Sequence, residues 1–257
     1  ILELLDCCYS ILGEYALEDK NYSYDNIHLD MYFYHEGRIY KYQTDLISSL
    51  TLSNKATFVN QKLFEKEYFK SNVKNIFSDD GFVTVNNIGT LPEDTSILFF
   101  VLHKKETKAV YFNSDGAGAD TYRLMFNALK RYKIPTAVLS KILHLFDSNI
   151  QNLTMLDEHN YELSLCSDGR KIISDKELVH FLSSGTTKGL LLYTTVIASL
   201  QNGFDLIIDE VENHFHKTLV ENIISLYKDK SVNKKNATLL FSTHYCEILD
   251  LFNRQDN

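Results

Sequence analysis

The chain has 257 residues, with 26 Lys and Arg against 34 Asp and Glu and a formal net charge of -8; that length suits one large α/β domain with an insertion or two smaller domains, and the acidic balance argues against nucleic-acid binding through bulk positive charge, leaving only a local basic patch. With 44% hydrophobic and 23% charged residues the composition is that of a globular protein, and no apolar run reaches the roughly 18 residues of a membrane span. Cys7, Cys8, Cys166 and Cys246 include one adjacent pair and no CxxC, so neither a disulfide framework nor a zinc knuckle is indicated and a reducing cytoplasm fits best.

The opening ILELLDCCYSIL places Leu2, Leu5, Ile11 and Leu12 on a helical stripe and lacks the basic start and small-residue cleavage site of a signal peptide. It begins without methionine, and the closing LFNRQDN has no capping glycine or final strand, so the expectation is a piece of a longer protein, incomplete at both ends. IHLDMYFYHEGRIYKYQTDL alternates apolar and polar residues around Glu36-Gly37, which predicts two antiparallel strands joined by a tight turn. Short strands at Ala56 to Val59 and Phe82 to Val85 continue a β-rich stretch without a chemical motif. From Pro92 the pattern predicts helices over SILFFVLHKK, TYRLMFNALKRY and PTAVLSKILHLFD, with Pro135 in a first turn. Asp168-Gly169 in YELSLCSDGRKIIS marks a second hairpin.

The last third carries the chemistry. FDLIID reads as a buried parallel strand ending in Asp209 and Glu210, preceded by Asn202-Gly203, which stops the helix before it. At the carboxyl edge of an open α/β sheet, adjacent acids can divide labour: Asp209 serves Mg²⁺, and Glu210 orients or deprotonates a water. The alternative is a solvated strand end with two surface acids. Upstream, LSSGTTKG leads into the apolar helix LLLYTTVIASL, so Ser183, Ser184, Gly185 and Thr186 offer amides and hydroxyls to an anion at a helix start, or else a serine simply caps the helix. Downstream, TLLFSTHYCEIL predicts a strand from Thr238 to Ser242 that ends in Thr243 and His244, beside Asp209 and Glu210. There His244 can reach a phosphate or the attacking water, or serve only as a cap.

In this order LSSGT, LIIDE and STH resemble the signature, Walker B and H-loop of ABC-class ATPases. They are most similar to stand-alone, SMC-like AAA ATP-binding proteins of the abortive-infection and overcoming-lysogenization-defect kind, with SSGTxK, DExxxxLH and TTH. Here these are Ser183-Ser184-Gly185-Thr186-Thr187-Lys188, Asp209-Glu210 with Phe215-His216, and Ser242-Thr243-His244, and the resemblance covers about residues 135 to 252. His216 stands where many transporters carry the D-loop aspartate, and Ser184 replaces a glycine of LSGGQ, departures that suit the SMC-like branch.

The resemblance implies that Asp209 supports Mg²⁺, Glu210 polarises the water and His244 contacts the γ-phosphate of ATP. Ser183, Ser184, Gly185 and Thr186 would close over phosphates held by a second subunit, with Lys188 adding charge or standing as a solvated residue. The implied fold is an ABC-type P-loop NTPase sheet with a β-rich segment and a helical insertion. Its expected parts are an N-terminal helix and β-rich segment over 1–90, a helical insertion and hairpin over 91–180, and the signature, Walker B and H-loop over 181–257. The implied activity is Mg²⁺-dependent ATP hydrolysis coupled to head-to-tail closure of a homodimer or higher homo-oligomer. An effector protein and a role in phage defence or another nucleic-acid-linked process follow from the same resemblance.

No GxxxxGK[ST] occurs in the 257 residues. In the resembled family that loop directly precedes a helix like ILELLDCCYSIL, so the loop is expected just upstream of Ile1; otherwise the chain is a degenerate partner that offers a signature but cannot hold ATP. As given, the chain is expected neither to bind nor to hydrolyse ATP appreciably. A non-catalytic dimerisation or regulatory subunit is the first rival reading. A metal-dependent hydrolase on Glu212, His214, His216 and His244 is the second, disfavoured because Glu212 to His216 are expected to start the helix NHFHKTLVENIISLY, where i and i+2 diverge by about 200°, and because a third short-range ligand is missing.

Tyr32, Tyr34, Tyr40 and Tyr42 could stack bases, but such tyrosines more commonly form cross-strand pairs. Cys7, Cys8 and Cys246 are expected to be buried helix residues, and Lys104-Lys105 and Lys234-Lys235 solvated ends. Neither Gln43 nor Gln61 sits in a recognisable Q-loop motif.

Overall fold

The computed structural model describes residues 1–14, 26–48, 56–86, 88–102, 109–112, 120–213 and 215–252. It is a mixed α/β structure with three sheets among the described residues, and the chain divides into two compact units, with the division along the sequence falling after Ala109.

The first unit begins with α1 (Leu2–Glu14) and continues with β1 (Asn26–His35), β2 (Arg38–Ser48), β3 (Ala56–Glu67) and the short β4 (Val83–Thr84). They form one antiparallel sheet in the order β1-β2-β3-β4. The turn Glu36-Gly37 has φ of 44° and 83°; positive φ at both central residues gives the twist that closes a two-residue hairpin, as the sequence predicts. Cys7 and Ile11 of α1 pack with Leu29, Tyr42, Phe58 and Leu63 of the sheet in one apolar cluster.

The four hairpin tyrosines do not share a face. Tyr40 and Tyr42 are buried, whereas Tyr32 meets Phe77 edge-on at 5.3 Å and Tyr34 meets Tyr68 at 5.4 Å. Gln61 is fully engaged: its Oε1 accepts from the Tyr42 hydroxyl and the Ile97 amide, and its Nε2 donates to the Thr95 carbonyl. Gln43 donates across the hairpin to Asp30. The helix expected over SILFFVLHKK is only a 3-10 turn, Ile97–Phe100, capped by Ser96; residues 103–108, including Lys104-Lys105, lie outside the described residues.

The second unit contains β5 (Ala109–Phe112, whose first residue falls on the boundary), α2 (Asp120–Tyr132), α3 (Thr136–Phe146) and the meander β6 (Ile150–Met155), β7 (Asn160–Leu165), β8 (Gly169–Ser174). It continues through α4 (Asp175–Phe181), α5 (Ser184–Asn202), β9 (Asp205–Ile208), α6 (Lys217–Lys228) and β10 (Leu239–Phe241). Pro135 is the N-cap of α3, one position before the first turn expected for it. Gly169 takes φ 71° at the β7–β8 turn, matching the second hairpin signal. The Ser174 hydroxyl accepts from the Glu177 amide while the Glu177 carboxylate accepts from the Ser174 amide, a reciprocal box that starts α4.

Gly189 decides how α3 and α5 approach. A Cβ there would lie 2.2 Å from Cζ of Phe146, so only glycine admits this ring, which also meets Tyr193 and Phe215. Gly203 ends α5 in the left-handed region at φ 82°, where a residue without Cβ reverses the chain without strain. The reversal delivers Leu206, Ile207 and Ile208, each 0% exposed, into the centre of the sheet β10-β9-β5. The β9 and β10 strands are parallel, with Leu206, Ile207 and Ile208 opposite Leu239, Leu240 and Phe241, as the two apolar runs predict.

Candidate functional site

Because β9 and β10 are parallel, their carboxyl ends lie side by side, bringing Asp209 and Glu210 next to Ser242, Thr243 and His244. The Asp209 amide donates to the Phe112 carbonyl at 2.9 Å, tying the end of β5 to the same edge. The Ser242 hydroxyl donates to Asp209 Oδ1 at 2.6 Å and accepts from the Glu210 amide at 2.8 Å. One hydroxyl therefore fixes both acids. The Ser242 amide meets the Ile208 carbonyl, and the Val211 amide the Ser242 carbonyl, each at 3.1 Å.

Glu210 has φ 47°. A non-glycine residue in this region costs on the order of 1–2 kcal/mol, and the bond from its amide to Ser242 helps to hold it there. The bend aims its carboxylate away from the strand: Oε2 accepts from Asn213 Nδ2 at 2.6 Å, and Oε1 lies 3.9 Å from His244 Nε2. The His244 side chain is 83% exposed, so its ring faces solvent and is available to a ligand.

Glu212 lies beneath His244. Its Oε1 accepts from the His244 amide at 2.7 Å and stands 3.9 Å from Nε2 of the same residue. Burial alone would raise the Glu212 carboxyl, but hydrogen bonds from its own amide, the His244 amide and the Thr243 hydroxyl, with the nearby His244 ring, together outweigh it, so the group is held below the usual glutamate range. Its Oε2 is buried with no hydrogen-bond partner among the described residues.

Ser183, Ser184 and Gly185 are exposed at the start of α5, while Thr186 and Thr187 are buried and Lys188 is half-buried. Ser183 caps the helix: its Oγ accepts from the Thr186 amide at 3.0 Å and lies 2.8 Å from Thr186 Oγ1. Capping and anion binding are compatible here, since it is the Ser184 and Gly185 region that stays open. A Cβ on Gly185 would meet only Ser183 Oγ, at 3.8 Å, so nothing among the described residues demands glycine there. Lys188, one turn further on, lines a groove of about 380 Å³ with Phe112, Arg131, Tyr132 and Leu191.

Among the described residues no hydrogen bond or ion pair joins Ser183 to Lys188 with Asp209, Glu210 or His244. Geometry gives the reason. The 19 residues of α5 rise about 28 Å and the four of β9 only about 13 Å. With the chain reversing at Gly203, the helix start overshoots the strand end by on the order of 10–15 Å along the axis.

Asp209 Oδ2 accepts no hydrogen bond among the described residues, leaving it open to a cation or to cation-bound water. A single carboxylate suits Mg²⁺, which takes one or two protein carboxylates and completes its shell with waters and phosphate oxygens. Among the described residues no group of three or more His, Cys, Asp or Glu could hold a metal by itself. Of the ligands in the hydrolase reading, His216 is the exposed N-cap of α6, and His214 lies outside the described residues. Cys246 is exposed, not the buried helix residue expected, because the apolar run after His244 forms a 3-10 turn, Cys246–Leu251. Lys234 and Lys235 are exposed, as expected.

Ser242 was visible only as the first letter of a tripeptide, and its bridging role depends on strand register. Asn213 carried no signal in the sequence; Glu212 carried one, but as a metal ligand.

The chain matches no family model and no curated protein. Among solved structures it is similar to one described as the SmcHead bound to the C-winged helix domain of ScpA, at 9% identity over 80% of this chain and 67% of that chain, with a TM-score of 0.36. Neither the fold nor the chemistry of the site rests on a likeness of that degree. No helix among the described residues is long and apolar enough to cross a membrane.

Proposed function

We propose that Asp209, Glu210 and His244 form the Walker B and H-loop half of an ABC-class, SMC-like ATPase site. It would be completed by Ser183, Ser184, Gly185, Thr186 and Lys188 of a second copy in a head-to-tail dimer. The observation that carries this reading is the Ser242 hydroxyl shared by Asp209 and the Glu210 amide, which locks two acids into different orientations at adjacent strand ends. An incidental pair of surface acids needs no such lock.

When bound, Mg²⁺ would neutralise charge on the phosphate oxygens of ATP. Asp209 would hold the ion or one of its waters through Oδ2. Glu210, bent out of the strand, would orient the attacking water and accept its proton. His244 would donate from its exposed ring to a phosphate oxygen. The overshoot of α5 past β9 favours a signature that acts in trans, because one phosphate group cannot span that offset within a single copy.

In a chain that carries a GxxxxGK[ST] loop, Glu210→Gln should lose turnover and accumulate an ATP-bound dimer by light scattering; turnover at the wild-type rate would refute the assignment. The second reading, a regulatory or dimerisation subunit for an effector protein, would leave the complex indifferent to the same substitution. A cytoplasmic setting comes from the cysteine pattern alone, and a role in phage defence or another nucleic-acid-linked process from the family resemblance alone.

A further inference from the structure

Glu212 is set apart from the other acids of the site. Glu210 is 40% exposed, whereas the Glu212 side chain is only 13% exposed, and it spends one oxygen on a backbone amide 32 residues away. Burying a carboxylate is unfavourable unless it is paired or hydrogen-bonded, and here the other oxygen has no partner among the described residues. Such an arrangement calls for a role that a neutral apolar residue could not fill. The His244 amide it receives belongs to a residue that has left the β10 ladder, so no strand partner fixes that turn.

We infer that Glu212 is a positioning residue for His244: its carboxylate clamps the backbone of the β10 exit so that the imidazole stands beside Glu210 and faces the ligand side. The inference rests on the ATPase reading of the site and adds a residue that connects the loop after β9 with the loop after β10. Without the clamp, the loop after β9 would hold this turn only through Ser242, leaving His244 itself without a fixed position beside Glu210. Glu212 touches neither phosphate nor water in this role; it acts through His244.

The test uses the 257-residue chain and needs no nucleotide, so its failure is distinct from a failure of the ATPase reading. Amide hydrogen exchange at His244 should be about tenfold faster in Glu212→Ala, as expected for loss of a charge-assisted hydrogen bond, with α5 and the β6–β8 meander unchanged. Glu212→Gln keeps an acceptor oxygen and should restore exchange to within about threefold of the wild type.

A second readout separates positioning from bulk stability. By ring NMR, Glu210→Gln should shift the His244 resonances when Glu212 is present and leave them unmoved in the Glu212→Ala background. Should Glu212→Ala leave His244 exchange unaltered, or should the ring respond to Glu210→Gln equally in both backgrounds, the inference is overturned. If Glu212→Ala fails to fold, the comparison of Glu212→Gln with Glu212→Asp decides. The shorter Asp should lose His244 protection that Gln retains, and equal protection in the two would overturn it as well.

Discussion

The hydroxyl of Ser242, just past β10, donates to Oδ1 of Asp209, just past β9, across 2.6 Å. The same oxygen accepts the Glu210 amide, so its removal strands a carboxylate oxygen and an amide together. Ser242→Ala should therefore destabilise the chain by about 1–3 kcal/mol, the usual consequence of unpairing partly buried polar groups. Ser242→Thr, which keeps the hydroxyl, should stay within about 1 kcal/mol of the wild type. Urea unfolding checks both, and an unchanged midpoint for Ser242→Ala would show that the bridge contributes nothing.

Gly189 offers a test of the helix packing beneath the site. The 2.2 Å clash of a Cβ with the Phe146 ring predicts that Gly189→Ala costs about 1–3 kcal/mol through overpacking, despite alanine's better helix propensity. Adding Phe146→Leu should relieve part of that cost, so the double substitution should be less destabilising than the sum of the singles. Additive losses by thermal unfolding would mean that the ring and the glycine do not meet.

Acid should weaken the box at the start of α4. The Ser174 amide and hydroxyl hold the Glu177 carboxyl below its ordinary value of 4.5. A carboxyl depressed in the folded state contributes stability that is present above the unfolded value and lost as pH falls through the folded one. Glu177→Gln should thus lower the urea midpoint at pH 7, with the difference from the wild type shrinking as pH falls below 4.5 and vanishing once the carboxyl is protonated in the folded state. A difference that persists unchanged in acid would contradict the capping assignment.

The 257-residue chain alone should bind ATP too weakly for a calorimetric isotherm in the micromolar range, since it holds no phosphate loop. A micromolar dissociation constant for this chain would contradict that expectation.

Local patterns made much of this fold legible. Glu36-Gly37 and Asp168-Gly169 mark hairpins because their turns need positive φ, and the apolar run before Asp209 marks a parallel strand because it is buried on both faces, whereas the run before His244 forms the partly buried β10 beside it. What stayed hidden depends on register or on elements too short to show a period. The AVYF segment of β5 gives four residues and no turn signal, yet it completes the sheet. SILFFVLHKK looks helical by composition, but Ser96 caps only a single 3-10 turn there. Asp209, Glu210 and His244 were readable as a set from their order in the chain, whereas the Ser242 bridge and the Glu212 clamp span 32 or 33 residues and follow only once β9 and β10 are aligned.

Complementation between two inactive variants tests the two-copy site most directly. In a chain carrying its phosphate loop, Ser183→Arg should block the signature and Glu210→Ala should remove the water-orienting carboxylate, each abolishing ATP turnover alone. Mixed in equal amounts, they should recover about a quarter of the wild-type rate, because half of randomly paired symmetric dimers then hold one site free of both lesions. A mixture as inactive as its components would contradict a site shared between two copies.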